Sequence, residues 1–274
     1  MSDDRRDTDG GEAVPDFVAT ALTRLYRRTG GGVAPVRAVD GVDLTIRRGQ
    51  RLGIVGGSGS GKSTLVRLLL ALVRPTSGSI LFRGQEIAGV PETQLGSLRR
   101  EVQMVFQDPR SSLDPRMRVG RIVAEPLRAR SIRGMVPTAV ADRVREVLGQ
   151  VGLEPEAARR FPHEFSGGQR QRIAIARALA PAPSVLIADE AVSALDVSVR
   201  AQVLNVLMDR VRDDGLTLVF VSHDLTVVRH VCDTVAVMQA GRIVESGPVD
   251  AVYLDPQTSY TRDLLAAVPT IRLT

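Results

Sequence analysis

Residues 56–63 read Gly56-Gly57-Ser58-Gly59-Ser60-Gly61-Lys62-Ser63, between an apolar run from Arg51 to Val55 and a helical pattern from Ser63 to Val73. A GxxxxGKS order between a strand and a helix constrains the fold more than any other stretch of this chain, because it is the setting of a phosphate-binding loop. The glycines let the backbone curl until several N–H groups point inward, and the helix N-terminus adds partial positive charge. Lys62 then reaches the β and γ phosphates, while Ser63, followed by Thr64, brings a hydroxyl to Mg²⁺. Alone, the loop indicates a binder of nucleotide phosphate.

The basic residues point to the same place. Of 36, 35 are arginine and one is lysine, Lys62. A compact ammonium with three freely directed donors suits a tight phosphate cradle where a planar guanidinium does not. The net charge of +5 permits a nucleic-acid partner, but the arginines are scattered and aromatic residues make up only 3% of the chain, which gives little for single strands to stack on. A regulatory or nucleic-acid-associated ATPase remains as a rival reading, whose binding would be strongly salt-dependent. With 43% hydrophobic and 24% charged residues the chain is expected to be globular, and the lone Cys232 reads as a buried small hydrophobe, not part of a disulfide framework. Arginines break the longest apolar stretches well short of a membrane span, and MSDDRRDTDGGE at the start reads as a solvated tail.

Along the chain, Val42, Leu44 and Ile46 alternate with polar residues, and Arg51 to Val55, Gly78 to Phe82 and Val102 to Phe106 read as further strands. From about Asp108 to Ala180 three segments carry apolar residues at helical spacing, which predicts an inserted helical subdomain. Strand-like runs return at Ser184 to Ala188 and Leu216 to Val221 around a helical Val199 to Val211, the rhythm of a parallel βαβ sheet. Val235 to Met238 and Arg242 to Glu245 add an extended pair, and a short polar tail is expected from about Pro248.

The buried run Val185 to Ala188 delivers Asp189 and Glu190 to a strand end, where open α/β sheets bind ligands. Asp189 is placed to hold Mg²⁺, and Glu190 to orient or deprotonate an attacking water. A second phosphate site follows from Phe165-Ser166-Gly167-Gly168-Gln169-Arg170, where Ser166, Gly167 and Gly168 open another helix with free N–H groups. One chain cannot easily bring both sites to one nucleotide.

With GGSGSGKS, SGGQ, LIADE and SALD together, the sequence resembles the ATP-binding cassette (ABC) ATPases over essentially Phe17 to Pro269. The resemblance implies a P-loop NTPase (RecA-like) α/β core with an antiparallel β subdomain and an inserted α-helical signature subdomain. It also implies that the signature of one subunit, Ser166 to Gln169, closes over ATP held by the loop of another. Gln107 resembles the glutamine that senses Mg²⁺ and the attacking water, Asp196 the residue that crosses the dimer interface, and His223 the switch histidine at the γ phosphate. Tyr26 is the candidate to stack on adenine, with Phe17 as an alternative. The other histidines, His163 and His230, read as surface or structural residues.

Finer resemblance is to the ATPases of oligopeptide, dipeptide and nickel importers, specifically the second, F-type subunit of peptide permeases, through VRAVDGVDLTI, QDPRSSLDPRMRVGRIVAEPL, DEAVSALDVSVRAQVLN and the closing IVESGPVDAVYLDPQTSYTRDLLAAVP. Thr258-Ser259 departs from the His-Pro often found there. This implies a disordered tail over 1–14, a cassette over 15–246 with the helical part at about 108–180, and a C-terminal extension over 247–274. ATP and Mg²⁺ are the implied cofactors, and a single cysteine excludes an iron–sulfur cluster. The implied partners are a second ATPase subunit, as a paralogue or a copy, two membrane permeases and an extracytoplasmic substrate-binding protein, with no nucleic acid. The implied location is peripheral, on the cytoplasmic face of the membrane. A nickel or metal-chelate importer is the alternative cargo reading, and a soluble non-transport ABC ATPase a remote one.

Overall fold

A computed structural model describes residues 13–27, 35–107, 112–128, 136–193 and 195–267. Among the described residues ten strands form two sheets. The smaller sheet is antiparallel, in the order β2 (Val36–Ile46), β1 (Phe17–Tyr26), β4 (Ser77–Phe82) and β5 (Gln85–Glu86). The larger has the order β10 (Arg242–Pro248), β9 (Thr234–Gln239), β3 (Arg51–Val55), β8 (Thr217–Ser222), β7 (Val185–Asp189) and β6 (Val102–Val105). Its pairs from β9 to β6 are parallel, and β10 runs antiparallel at one edge.

The central strands are buried on both faces, as parallel strands covered on two sides must be. Along β7, Val185 and Ile187 face one core and Leu186 and Ala188 the other. The first core is closed by the small sheet and helix α1 (Lys62–Leu69), through Phe17, Leu22, Ile46, Leu65 and Ile80. The second takes the helices: α3 (Val119–Val123), α4 (Pro137–Gln150), α5 (Gly167–Leu179), α6 (Val197–Asp213) and α7 (Leu225–Val231). Helix α2 (Gly96–Glu101) leads directly into β6. The two sheets are fastened at the N-terminal ends of β7 and β8. There the buried Asp16 accepts bonds from Arg83 Nε at 2.8 Å and Thr217 Oγ1 at 2.6 Å, and Arg83 also reaches Ser184 and Glu101.

Two expectations need correction, and one strand has no local signal in the sequence. β1 precedes Val42 and occupies the middle of the small sheet. Its period of two is broken by bulges around Ala21, which has φ +47°, so the buried Ala19 and Leu22 fall an odd number of residues apart. The helix expected to reach Val73 stops at Leu69, because Ala71 turns left-handed and Leu72 N–H closes back on Arg67 O at 2.9 Å. The polar tail expected from Pro248 is instead two helices, α8 (Val249–Leu254) and α9 (Ser259–Ala266), packed on the second core through Val249, Val252, Tyr260 and Leu264. The solvated tail expected over 1–14 lies, up to residue 12, outside the described residues.

Candidate nucleotide site

The C-terminal ends of β3, β7 and β8 lie level in register, with Val55 opposite Ser222 and Asp189 opposite Val221, and β6 ends beside them at Val105 opposite Ala188. Residues 56–63, Gln107, Asp189-Glu190 and His223 each follow one of these ends, so the parallel topology gathers segments far apart in sequence to one edge. The loop leaves β3 and enters α1 with no side-chain cap, which leaves first-turn N–H groups for a ligand. Gly61 has φ +108°, and a Cβ there would stand 2.1 Å from Ala38 O, so this corner admits glycine alone. The loop is braced from outside by Gly241 N–H on Ser60 O at 2.9 Å, and a Cβ at Gly56 would press on Met238 O at 2.3 Å. Ser58 and Gly59 form its exposed tip, whereas Ser60 is buried.

Lys62 is 7% exposed and folded into the loop, with Nζ donating to Gly56 O at 2.7 Å and Gly57 O at 3.0 Å and standing 3.5 Å from Ser60 Oγ. Burial lowers its pKa, against the opposing pull of the Glu190 and Asp189 charges. Burial, followed by the like charge of Glu190, raises that of Asp189, countered by Lys62 and the Ser63 hydroxyl. Asp189 Oδ1 is buried with no hydrogen-bond partner, an atom left wanting a donor or a cation.

Glu190 sits in the left-handed region at φ +48°, unusual for a non-glycine residue and held by Glu190 N–H on Val221 O and by Ser193, whose N–H and Oγ both reach Glu190 O. The turn aims its carboxylate between two other predicted site residues. Gln107 Nε2 donates to Oε2 at 2.9 Å, and His223 Nδ1 lies 3.6 Å from Oε1. Three candidates named separately in sequence thus form one cluster beside the loop.

The remaining candidates lie elsewhere. Ser166 caps α5: its Oγ accepts from Gln169 N–H at 3.3 Å and its own N–H donates to Gln169 Oε1 at 3.0 Å. The Ser166 N–H, expected to be free, is therefore satisfied within the turn, together with that of Gln169. Gly167 and Gly168 pack beside Leu195 and Val199, a Cβ at Gly168 falling 2.3 Å from Val199 Cγ1. Asp196 caps α6, accepting from Val199 N–H at 3.0 Å and Ser198 Oγ at 2.9 Å, and these bonds hold its carboxyl below the usual range. No hydrogen bond among the described residues joins this signature region to residues 56–63. Tyr26 ends β1 opposite Val36, with the Arg24 guanidinium 4.7 Å from its ring centroid. Phe17 is fully buried against Phe82, ring centroids 5.1 Å apart, and is excluded as an adenine platform. Sequence reasoning missed Ser193 and Tyr260, whose hydroxyl accepts Gly57 N–H at 2.8 Å. The one sequence signal for the latter is the helical spacing of Tyr260 and Leu264.

Comparison with known proteins agrees with this geometry. A family model described as ABC transporter matches residues 39–193. A probable peptide ABC transporter ATP-binding protein of Sinorhizobium fredii, y4tS, is 50% identical over 91% of this chain and 71% of its own length. The di/tripeptide transport ATP-binding protein DppF of Pseudomonas aeruginosa is 49% identical over 93% of this chain and 79% of its own. The glutathione import ATP-binding protein GsiA of Escherichia coli is 54% identical over 92% of this chain but only 41% of its own length. Among solved structures, the dimeric ATP-binding cassette MJ0796 in a post-hydrolysis state with ADP and Pi matches with TM-score 0.75 and 30% identity, over 85% of this chain and 98% of that one. The cassette cbiO1 of Clostridium perfringens, part of a cbiONQ transporter complex, matches with TM-score 0.76 and 28% identity, over 88% and 91%. No described helix is long and apolar enough to cross a membrane.

Proposed function

The chain belongs to the ABC transporter family and is one of its ATP-binding, ATP-hydrolysing cassettes, and on that footing we propose that it energises uptake of di- and oligopeptides through partner permeases. The convergence of Gln107 and His223 on Glu190, beside the lysine-bearing loop, carries this reading. Peptide cargo is supported by relatives at about half identity that are named for peptide transport and that this chain matches over most of their length.

In the proposed cycle Lys62 leaves the loop carbonyls for the β and γ phosphates, and the α1 N-terminus and loop N–H groups take up the remaining charge. Ser63 and Asp189, with its unpartnered Oδ1, fit a cation and would hold Mg²⁺. When bound, that ion neutralises developing phosphate charge. Glu190 orients the attacking water and accepts its proton, and His223 faces the γ phosphate. Gln107 engages one carboxylate oxygen of Glu190 and His223 faces the other, and each oxygen keeps a further lone pair for the attacking water. Through this shared carboxylate Gln107 is the side chain we assign to pass nucleotide state to a neighbour.

Ser166 to Gln169 and Asp196 make no hydrogen bond to their own loop among the described residues, and we assign them to the loop of a second cassette, a paralogue or a copy. ATP would bridge the two and ADP would not, and this difference in closure performs the work. A cleft of about 780 Å³ beside Gln107, lined by Leu72, Gln103, Met104, Phe106, Glu125 and Arg177, is the proposed seat of the permeases' cytoplasmic helices. The cassette then sits peripherally on the cytoplasmic face, and cargo choice belongs to the permeases and an extracytoplasmic binding protein. Affinity capture of the tagged chain from its own membranes in mild detergent tests the reading. Recovery of two permeases and a second ATPase is expected, with a peptide-binding protein encoded or captured alongside. Recovery solely from the soluble fraction, with nucleic acid or ribosomes, would overturn the transport claim.

A further inference from the structure

We propose that Tyr260 is a positioning residue of the phosphate-binding loop and couples nucleotide occupancy to the docking of α9. The inference rests on reading residues 56–63 as a nucleotide site. Gly57 N–H donates to the Tyr260 hydroxyl at 2.8 Å, while Gly57 C=O accepts from Lys62 Nζ at 3.0 Å and Ser60 N–H at 3.3 Å. One residue of the loop is therefore held by a phenol at its N–H and by an ammonium at its C=O. A Cβ on Gly57 would lie 3.3 Å from the same hydroxyl, so a side chain there would crowd the bond.

The phenol itself has little freedom. Its ring packs on the second core with Leu264 and Leu265. The first turn of α9 is tied to β10 by Glu245, whose Oε1 accepts Gln257 N–H at 2.9 Å and whose Oε2 accepts Thr258 N–H and Oγ1, both at 3.1 Å. Thr258 Oγ1 in turn accepts Thr261 N–H at 3.1 Å and meets the fully buried Thr261 Oγ1 at 2.8 Å. Tyr260 thus stands between two anchored threonines, and the chain from β10 to the loop is continuous in hydrogen bonds and packing. When Lys62 turns to a phosphate, Gly57 keeps the longer Ser60 bond and the Tyr260 bond, and Tyr260 holds more of its orientation. By linkage, a tie that favours nucleotide makes nucleotide favour the docked helix by the same factor.

The test is amide exchange read by mass spectrometry on the full chain, with and without MgADP, together with ADP affinity. In the unsubstituted chain MgADP should slow exchange across residues 259–266, a segment that touches no phosphate. Tyr260→Phe keeps the ring and removes the hydroxyl. That variant should lose the ADP-dependent slowing and bind ADP about three- to tenfold more weakly, the range one net hydrogen bond supplies. Glu245→Gln, which loosens the first turn of α9 without touching the loop, should diminish the same response. Tyr260→Phe with unchanged ADP affinity and undiminished slowing overturns the proposal and leaves the site reading intact. An unsubstituted chain that takes up no MgADP overturns both.

Discussion

At the scale of single residues, a chain whose other 35 basic residues are arginine has kept a lysine where three acceptors converge in a space 7% open to solvent. A planar guanidinium with fixed donors does not fit three acceptors so disposed. Lys62→Arg should therefore lower ATP affinity at least tenfold despite preserving the charge, as read by equilibrium binding, and wild-type affinity in that variant would refute the cradle. Glu190→Gln should bind ATP normally while hydrolysis falls by roughly 10² or more, the scale of losing a positioned base. Normal turnover would remove Glu190 from the mechanism. Acid should act through Asp189, whose pKa is raised chiefly by burial. As pH falls through that raised value the carboxylate takes up a proton earlier than an ordinary aspartate and loses its hold on Mg²⁺, so the advantage of MgATP over metal-free ATP shrinks. Asp189→Asn should flatten that pH dependence, and a variant that retains it would show another group to be responsible.

At the scale of elements, α5 and α6 meet at a point with no spare room, Gly168 against Val199. Valine is stiff at χ1, so a methyl on Gly168 must part the helices at a cost of roughly 1–3 kcal/mol. Gly168→Ala should lower the melting midpoint by several degrees, and adding Val199→Ala should restore it. An unrecovered double variant would locate the damage elsewhere. The elements legible in sequence were those with their own period or punctuation. The buried runs of β7 and β8, the capped start of α5 and the glycine loop before α1 all announce themselves locally. β1 did not, because the bulge at Ala21 slips its alternation. Helices α8 and α9 did not, because six and eight residues form no stable helix alone and depend on Glu245 and on the core beneath them. The cluster of Gln107, Glu190 and His223 was legible residue by residue through resemblance. Their meeting depends on parallel register between strands whose partners lie 83 residues apart at Gln107 and Glu190, which no local pattern encodes.

At the scale of the whole molecule, the chain carries a nucleotide loop at the strand ends and a signature turn that makes no hydrogen bond to it among the described residues, and two such chains placed head to tail would complete each other. Glu190→Gln should make this visible, since ATP that binds and is not hydrolysed holds the pair closed. With MgATP that variant, together with its paralogue if the pair is mixed, should elute and scatter light as two cassettes, and with MgADP as one. Identical behaviour with both nucleotides would count against ATP as the bridge. The brace on the loop has one more consequence. The chain has no tryptophan and three tyrosines, one against the phosphate loop, one at the end of β1 near the loop's Ala38 contact, and Tyr253 beneath the Arg229 guanidinium. Its ultraviolet emission is therefore that of a few phenols, one of them hydrogen-bonded to the loop itself, so the unlabelled protein carries its own optical reporter of the arrival of nucleotide.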